Sequence, residues 1–478
     1  MNATMLLARE EWRFWLRSNL ALATALLFLL LLLTTVALTA LRITEERHTR
    51  EHHQEEAETT FIAQPDRHPH RMVHYGHYVF RSPSPLAAFD PGLDSVTGQS
   101  IFLEGHRQNS AMFAASTASA DLGGFAWLTP ALVYQLFAPL LIILLGHGAV
   151  VRERESSTLA TLLAQGVGGV RIVAGKSSAL MMAVQVMLLP LLASAVIAAA
   201  SGEPLSAGMM MYLIYLLYLS VWGAMTLLVS ILAKKRATAL AVLTALWLAF
   251  TLLMPSLAVS NTARTLPIAG QIETDLRMLE DLRKLGDGHN AADPAFDRLR
   301  RDLLAQYDVE TIEELPVNLR GVVAEYSEAE LTETLNAYAE QRMGAEQQQA
   351  ELLSLHGWLT PLLATADASR AVAATDLSNH HRFLREAEAI RFEFVQGLNR
   401  AHAEKLDYQA DVNRGTDEAS SRRARISAEN WAVLNEFRFT PDSVSTRVAN
   451  AAPALSALVF WFLALAFWTF LAGRRIAV

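Results

Sequence analysis

The apolar residues of this chain fall into six long blocks, separated by polar stretches of very unequal length. Each block reaches the roughly 20 residues that a helix needs to cross a bilayer. They lie at 19–41, 130–151, 178–200, 210–232, 237–259 and 452–472. The first, LALATALLFLLLLLTTVALTAL, outruns the apolar region of a signal peptide, and no small-residue cleavage site follows it. The pattern predicts an α-helical polytopic membrane protein with six transmembrane helices.

Two connections are large, 42–129 and 260–451. In the first, frequent prolines and glycines leave room only for short strands, at YVF and SIFLE. The second reads as mostly helical. Ile272, Leu276, Leu279 and Leu282 recur near helical spacing before Gly286, and Asp293-Pro294 reads as a cap followed by a first-turn proline. Phe383, Ile390, Phe394 and Leu398 line one side of another helix. These stripes predict helix–helix cores. Both large loops emerge from the same membrane face, so they are expected to build one composite extracytoplasmic domain, mostly helical with a few short strands.

Charge orients the spans. The 12 basic residues outside the large loops sit in 1–18, 152–177, the KKR of 234–236 and 473–478, against four acidic ones, Glu10, Glu11, Glu153 and Glu155. The large loops hold 28 basic and 43 acidic residues. By the positive-inside rule both termini are cytoplasmic. Within 1–18, Met5, Trp12, Trp15 and Leu16 are expected on one face of an interfacial helix anchored by Trp12 and Trp15. Lys176 is read as an anchor where span 3 begins.

Composition narrows the chemistry. Apolar residues make up 52% and charged ones 18%, a mixture that suits membrane spans joined to a soluble part. There is no cysteine, hence no disulfide and no thiolate metal site. The spans lack carboxylates, which argues against a proton or ion relay. His147 is expected to pack or to sit at the interface. Eight of the 14 histidines fall between His48 and His106. His68, His70, His74 and His77 raise the possibility of a metal cluster, but their spacing is mixed and polar surface histidines are the preferred reading. HHRFLREAE lacks the glutamate of HExxH, and GVRIVAGKS spaces its glycines by five residues rather than the four of a phosphate-binding loop. No catalytic constellation, cofactor site or metal site is assigned.

The stretch RERESSTLATLLAQGVGGVRIVAGKSSAL, between spans 2 and 3, stands apart. Leu159, Leu162 and Leu163 give a short helix an apolar face. Ser156 or Ser157 is expected to cap its start, where Glu153 and Glu155 suit the helix dipole. Such a helix can insert into a groove of a soluble partner.

From Glu153 to Lys176 the chain resembles the cytoplasmic loop of ABC-2-type transporter permeases, in which E-R-E-x-G-T-L follows span 2 and G-K precedes span 3. Ser157 stands where that family usually has glycine. Six spans, cytoplasmic termini and an amphipathic N-terminal helix match as well. SPLAAFDPGLDSVTGQSIFLEGHRQN and LTPLLATADASRAVAATDLSNHHRFLREAEAIRFEFVQGLN resemble segments of a subgroup with a large periplasmic domain of unknown function between spans 5 and 6. The resemblance implies a permease subunit in a bacterial inner membrane, with its large loops periplasmic and no ATPase site of its own. It would pair with a second copy or a sister permease. Two cytoplasmic ATPases, which bind ATP and Mg, would push a coupling helix at about 153–164. Glu153, Arg154, Glu155, Thr158 and Leu159 would be its coupling residues, with Leu162 and Leu163 beside them. The cargo would be exported or extracted from the membrane, and no nucleic acid is involved. The alternatives are a mechanotransmitter that moves its outer domain against an envelope partner, and a membrane-anchored enzyme or metal sensor.

Overall fold

The computed structural model describes residues 3–112 and 128–476. Parts of the first large loop (113–127) and of the C-terminal tail (477–478) lie outside the described residues. Among the described residues the protein is mostly helical, with six long apolar helices and one two-stranded sheet. It is a multi-pass membrane protein with a folded part outside the bilayer, called the head below.

The spans are Asn19–Ala37, Pro130–Glu155, Gly169–Ala200, Leu205–Leu232, Arg236–Thr265 and Val444–Arg474. Two contain a wide π-helical turn just before a proline, Val133–Phe137 before Pro139 and Ala249–Leu253 before Pro255. Proline offers no N–H, so carbonyls one turn back are freed. Side chains take them up: the Tyr218 hydroxyl donates to the Gln135 carbonyl at 2.6 Å, and the Thr360 hydroxyl to Phe250 at 2.6 Å. Unmet carbonyls in hydrocarbon would cost several kcal/mol each.

Span 1 does not stop at the membrane. Its helix runs unbroken from Asn19 to Ile62, 44 residues, where a loop was expected from residue 42. At about 1.5 Å per residue it is roughly 66 Å long, twice the hydrocarbon thickness. Ser18 caps its start by accepting from the Ala21 N–H, and Phe61 at its far end is buried in the head.

The head is composite, as anticipated. Its main core joins Phe61, Met72, Val73, Val79 and Ile101 from the first large loop to Phe383, Phe394, Val395, Leu398 and Trp431 from the second. Strands β1 (His77–Phe80) and β2 (Ser100–Leu103) pair antiparallel, His77 opposite Leu103. Helix Leu319–Leu355 packs along helix Leu377–Lys405, bridged by the buried Arg391, which donates to Glu328 at 2.6 Å and to Thr332 at 2.8 Å. Asp293 accepts from the Ala295 N–H, as its sequence suggests. Between these elements and the bundle lies Pro361–Ala373, whose Ala364, Ala368 and Val372 pack into the same core as Tyr134, Tyr215 and Leu458 of the spans. One stripe departs from expectation. Ile272, Leu276 and Leu279 of helix Gln271–Leu282 are 78%, 63% and 46% exposed, so that helix presents its apolar face outward rather than to a helix–helix core.

Candidate functional site

Span 2 ends in an elbow. Its apolar helix stops at Gly146, a short turn follows, and two brief helices close the segment, Val151–Glu155 and Thr158–Ala164. His147 turns back on its own helix, its Nδ1 at 3.0 Å from the Leu144 carbonyl. The N–H groups of Val150 and Val151, left over by the turn, both donate to Ser230 Oγ of span 4 at 3.0 and 3.3 Å.

Arg152, Glu153, Arg154 and Glu155 then occupy one helical turn. Successive side chains of a helix diverge by about 100°, so four in a row point four ways. Each meets a different element. Arg152 pairs with Glu11 of the N-terminal helix Ala3–Arg17 and lies over the Phe14 ring, 3.8 Å from its centre. Glu153 takes the Lys176 ammonium of span 3 at 2.7 Å and the Thr158 hydroxyl. Arg154 donates to the carbonyls of Ile231, at 2.9 Å, and Ala233, which end span 4. Glu155 accepts from the Arg236 backbone N–H at 2.9 Å and its Nε at 2.6 Å, which begin span 5. A cation on a helix C-terminus and an anion on a helix N-terminus are the favourable senses for the helix dipole.

Lys176 is the centre of this hub. It is 2% exposed and bridges Glu11 and Glu153. The residue expected as an interfacial anchor thus has its ammonium packed between two carboxylates of the protein. Span 3 begins as a helix at Gly169, not 178, which carries Lys176 two turns inside. The neighbouring Gly175 explains the pair: a Cβ there would sit 2.7 Å from Leu7 Cβ and 2.9 Å from the Thr4 carbonyl, so glycine lets the N-terminal helix cross span 3.

Other expectations shift as well. The buried stripe of the N-terminal helix is Ala8, Glu11 and Trp15, while Met5 and Leu16 are 63% and 59% exposed. The four residues expected on one face are thus divided. Trp15 is buried and its indole donates to the Leu145 carbonyl at 2.9 Å; Trp12 is half-buried and packs edge-on against it. The segment 153–164 is not one helix. It breaks at Ser156–Ser157, and Ser157, at φ 62°, makes no side-chain cap. That left-handed conformation favours glycine, the residue usual here in the family that the loop resembles. Leu159 is buried, Leu162 and Leu163 are half-buried, and the exposed face of the short helix carries Thr158 and Thr161. Sequence reasoning missed Glu11 as a partner. Its signal was position: a carboxylate three residues after Ala8 and four before Trp15, on the apolar face of its helix.

Of the four histidines expected at the polar surface, His68 and His77 are buried, His70 is half-buried and His74 is exposed. Three of them fall into two side-chain clusters. His68 and His402 both contact Asp411 through Nε2 at 2.9 Å, and all three are buried. Burial pushes the Asp411 carboxyl up, but the hydrogen bonds from His402 and His68 outweigh it and hold the group well below the usual carboxylate range. His68 Nδ1 also accepts from the His70 N–H, so its lone pair is spent. This triad is a structural knot with no nitrogen of His68 left for a metal. The second group is His70, His74, His106 and His289. His70 and His74 lie one turn apart on helix Pro69–Tyr75, His106 follows β2, and His289 comes from the second large loop. Burial and the neighbouring imidazoles drive His70 down to about 3. His77, on β1, is buried against Phe61.

A family model described as a domain of unknown function, DUF3526, matches residues 271–440. The match lies within the head and covers the helices Leu319–Leu355 and Leu377–Lys405, but none of the elbow. No curated protein matches the chain.

Proposed function

We propose that this chain is the membrane subunit of an ATP-binding cassette transporter of the ABC-2 type, and that a separate ATPase, carrying ATP and Mg, drives it through the elbow. The observation that carries this reading is the charged hub. Four consecutive residues, Arg152 to Glu155, grip the N-terminal helix and spans 3, 4 and 5 at once. A force on the exposed Ser156, Ser157, Thr158 and Thr161 is thereby delivered to four elements together. On this reading the basic end of the bundle is cytoplasmic, the head is periplasmic in a bacterial inner membrane, and two copies, or this chain and a sister permease, share two ATPases. The chain performs no chemistry. Glu153, Arg154 and Glu155 transmit force, Leu159 holds the short helix down, and Thr158 and Thr161 face the motor.

The test is co-purification from the native membrane in mild detergent. A P-loop ATPase is expected with the wild type. It is expected to fall at least tenfold in a Thr161→Arg, Ala164→Asp double variant, whose two positions are exposed. An ATPase absent from the wild type, or one retained undiminished by a folded variant, sinks the proposal.

A second reading has its own support. The unbroken helix Asn19–Ile62 links the hub's neighbourhood to the core of the head. The same ATPase stroke would then move the head against an envelope partner without cargo crossing the spans. Nucleotide-dependent distance changes between spin labels on head and bundle, with no change in span packing, would favour it.

A further inference from the structure

We propose that His70, His74, His106 and His289 bind one divalent transition-metal ion, zinc(II), on the head. The geometry is that of four rings around a common centre. The six ring-centre separations run from 4.7 to 5.9 Å: 4.7 for His70–His74, 4.8 for His70–His289, 4.9 for His106–His289, 5.2 for His74–His106, and 5.9 for both His70–His106 and His74–His289. Zinc holds imidazole nitrogen at about 2.0–2.1 Å in a tetrahedron. That arrangement places ring centres about 5 Å apart and nitrogens about 3.3 Å apart. His70 Nε2 and His74 Nε2 are 3.2 Å apart, and one ligand nitrogen from each of the four lies within 4.8 Å of all the others.

The surroundings prepare the rings for a metal. His106 Nδ1 lies 2.7 Å from the buried Glu328 carboxylate, and its Nε2 is buried with no hydrogen-bond partner. His289 Nδ1 meets Asp287 Oδ1 at 3.2 Å. Histidines that ligate metals commonly engage a carboxylate through the other ring nitrogen, which fixes the ring and strengthens the ligand. Glu328 and Asp287 thus stand behind two of the four rings. Glu328 is in turn held by Arg391, so the site is anchored to the helix pair of the head. All-nitrogen, tetrahedral ligation suits zinc(II) better than copper(II) or nickel(II), which favour square-planar sites. His74 and His289 are exposed, which leaves an entry path from solvent.

The ion would join two distant parts of the chain. Three ligands come from the first large loop and the fourth from the turn after helix Gln271–Leu282. The inference does not depend on the transporter reading.

The experiment uses the full chain in detergent, stripped with a chelator and then dialysed against zinc(II). One zinc per chain is expected by elemental analysis, falling to background in His106→Ala and in His289→Ala. The exposed His52→Ala is the control and keeps its zinc. Cobalt(II) in place of zinc is expected to give the intense visible bands of tetrahedral coordination. Zinc is also expected to slow hydrogen exchange around 283–293 in the wild type and not in His289→Ala, a surface change that spares the fold. Stoichiometry unchanged by loss of His289, weak octahedral cobalt bands, or no added protection of 283–293 would each overturn the assignment.

Discussion

A single buried lysine ties three elements of the membrane half together. Lys176 lies between Glu11 and Glu153, and Glu11 also holds Arg152, so charges alternate in sign around a buried point. Removing one member of such a set strands the others; breaking a buried pair costs roughly 3–5 kcal/mol. Lys176→Met is expected to lower the midpoint of thermal unfolding in detergent sharply. Adding Glu11→Gln to it should restore a large part, because coupled neighbours depart from additivity by about 0.5–3 kcal/mol. A double variant no better than the single would show that the charges act independently. At the same scale, His77 makes the head sensitive to acid. Burial drives its imidazole down to about 4, with Glu58 pulling it up and Arg438 pushing it down. An unfolded histidine titrates near 6.5, so between roughly 6.5 and 4 the unfolded chain takes up a proton that the fold refuses. This contribution is complete above about 6.5 and is lost as the pH falls toward 4, up to about 3 kcal/mol. His77→Leu should flatten that part of the pH dependence, read as unfolding midpoints of the purified protein at pH 7.5 and 5.

Whole elements were far more legible than their contacts. The six spans, the strands YVF and SIFLE, the helix carrying Phe383 and Phe394, and the cap at Asp293 all follow from periodicity and local hydrogen bonding, and the structure has them. The helix Gln271–Leu282 shows the limit. Its stripe is strongly apolar, yet periodicity reports only that a face exists, not what covers it. The elbow shows a second limit. Local rules give Glu153 and Glu155 a helix dipole to suit and say nothing of their neighbours, whereas each charge of ERE is spent on a different element. Those partners lie as far away in sequence as Arg236, and no local rule brings them together. The four histidines were half visible for the same reason. His70 and His74 are one turn apart and stood out, but His106 and His289 join them only through the tertiary fold.

On the scale of the whole molecule, two of the links between head and bundle matter most here. Pro361–Ala373 seats into the core of the spans, and Arg447 at the start of span 6 pairs with Glu203 between spans 3 and 4. The other link is the helix Asn19–Ile62. Because it never breaks, it carries a phase as well as a length. Each residue inserted between the bilayer and Phe61 turns everything beyond it by about 100° and lifts it by about 1.5 Å. One extra alanine would swing Phe61 out of the head core, whereas seven, close to two full turns, would return it to nearly the same bearing some 10 Å higher. Insertions of one to seven alanines, scored by protease resistance of the head, should therefore do most harm near two residues and recover in part near four and seven. A flexible tether would forgive all of them alike. In this chain the spacing between membrane and head is quantised by the helical repeat, as the thread of a screw permits only certain seatings.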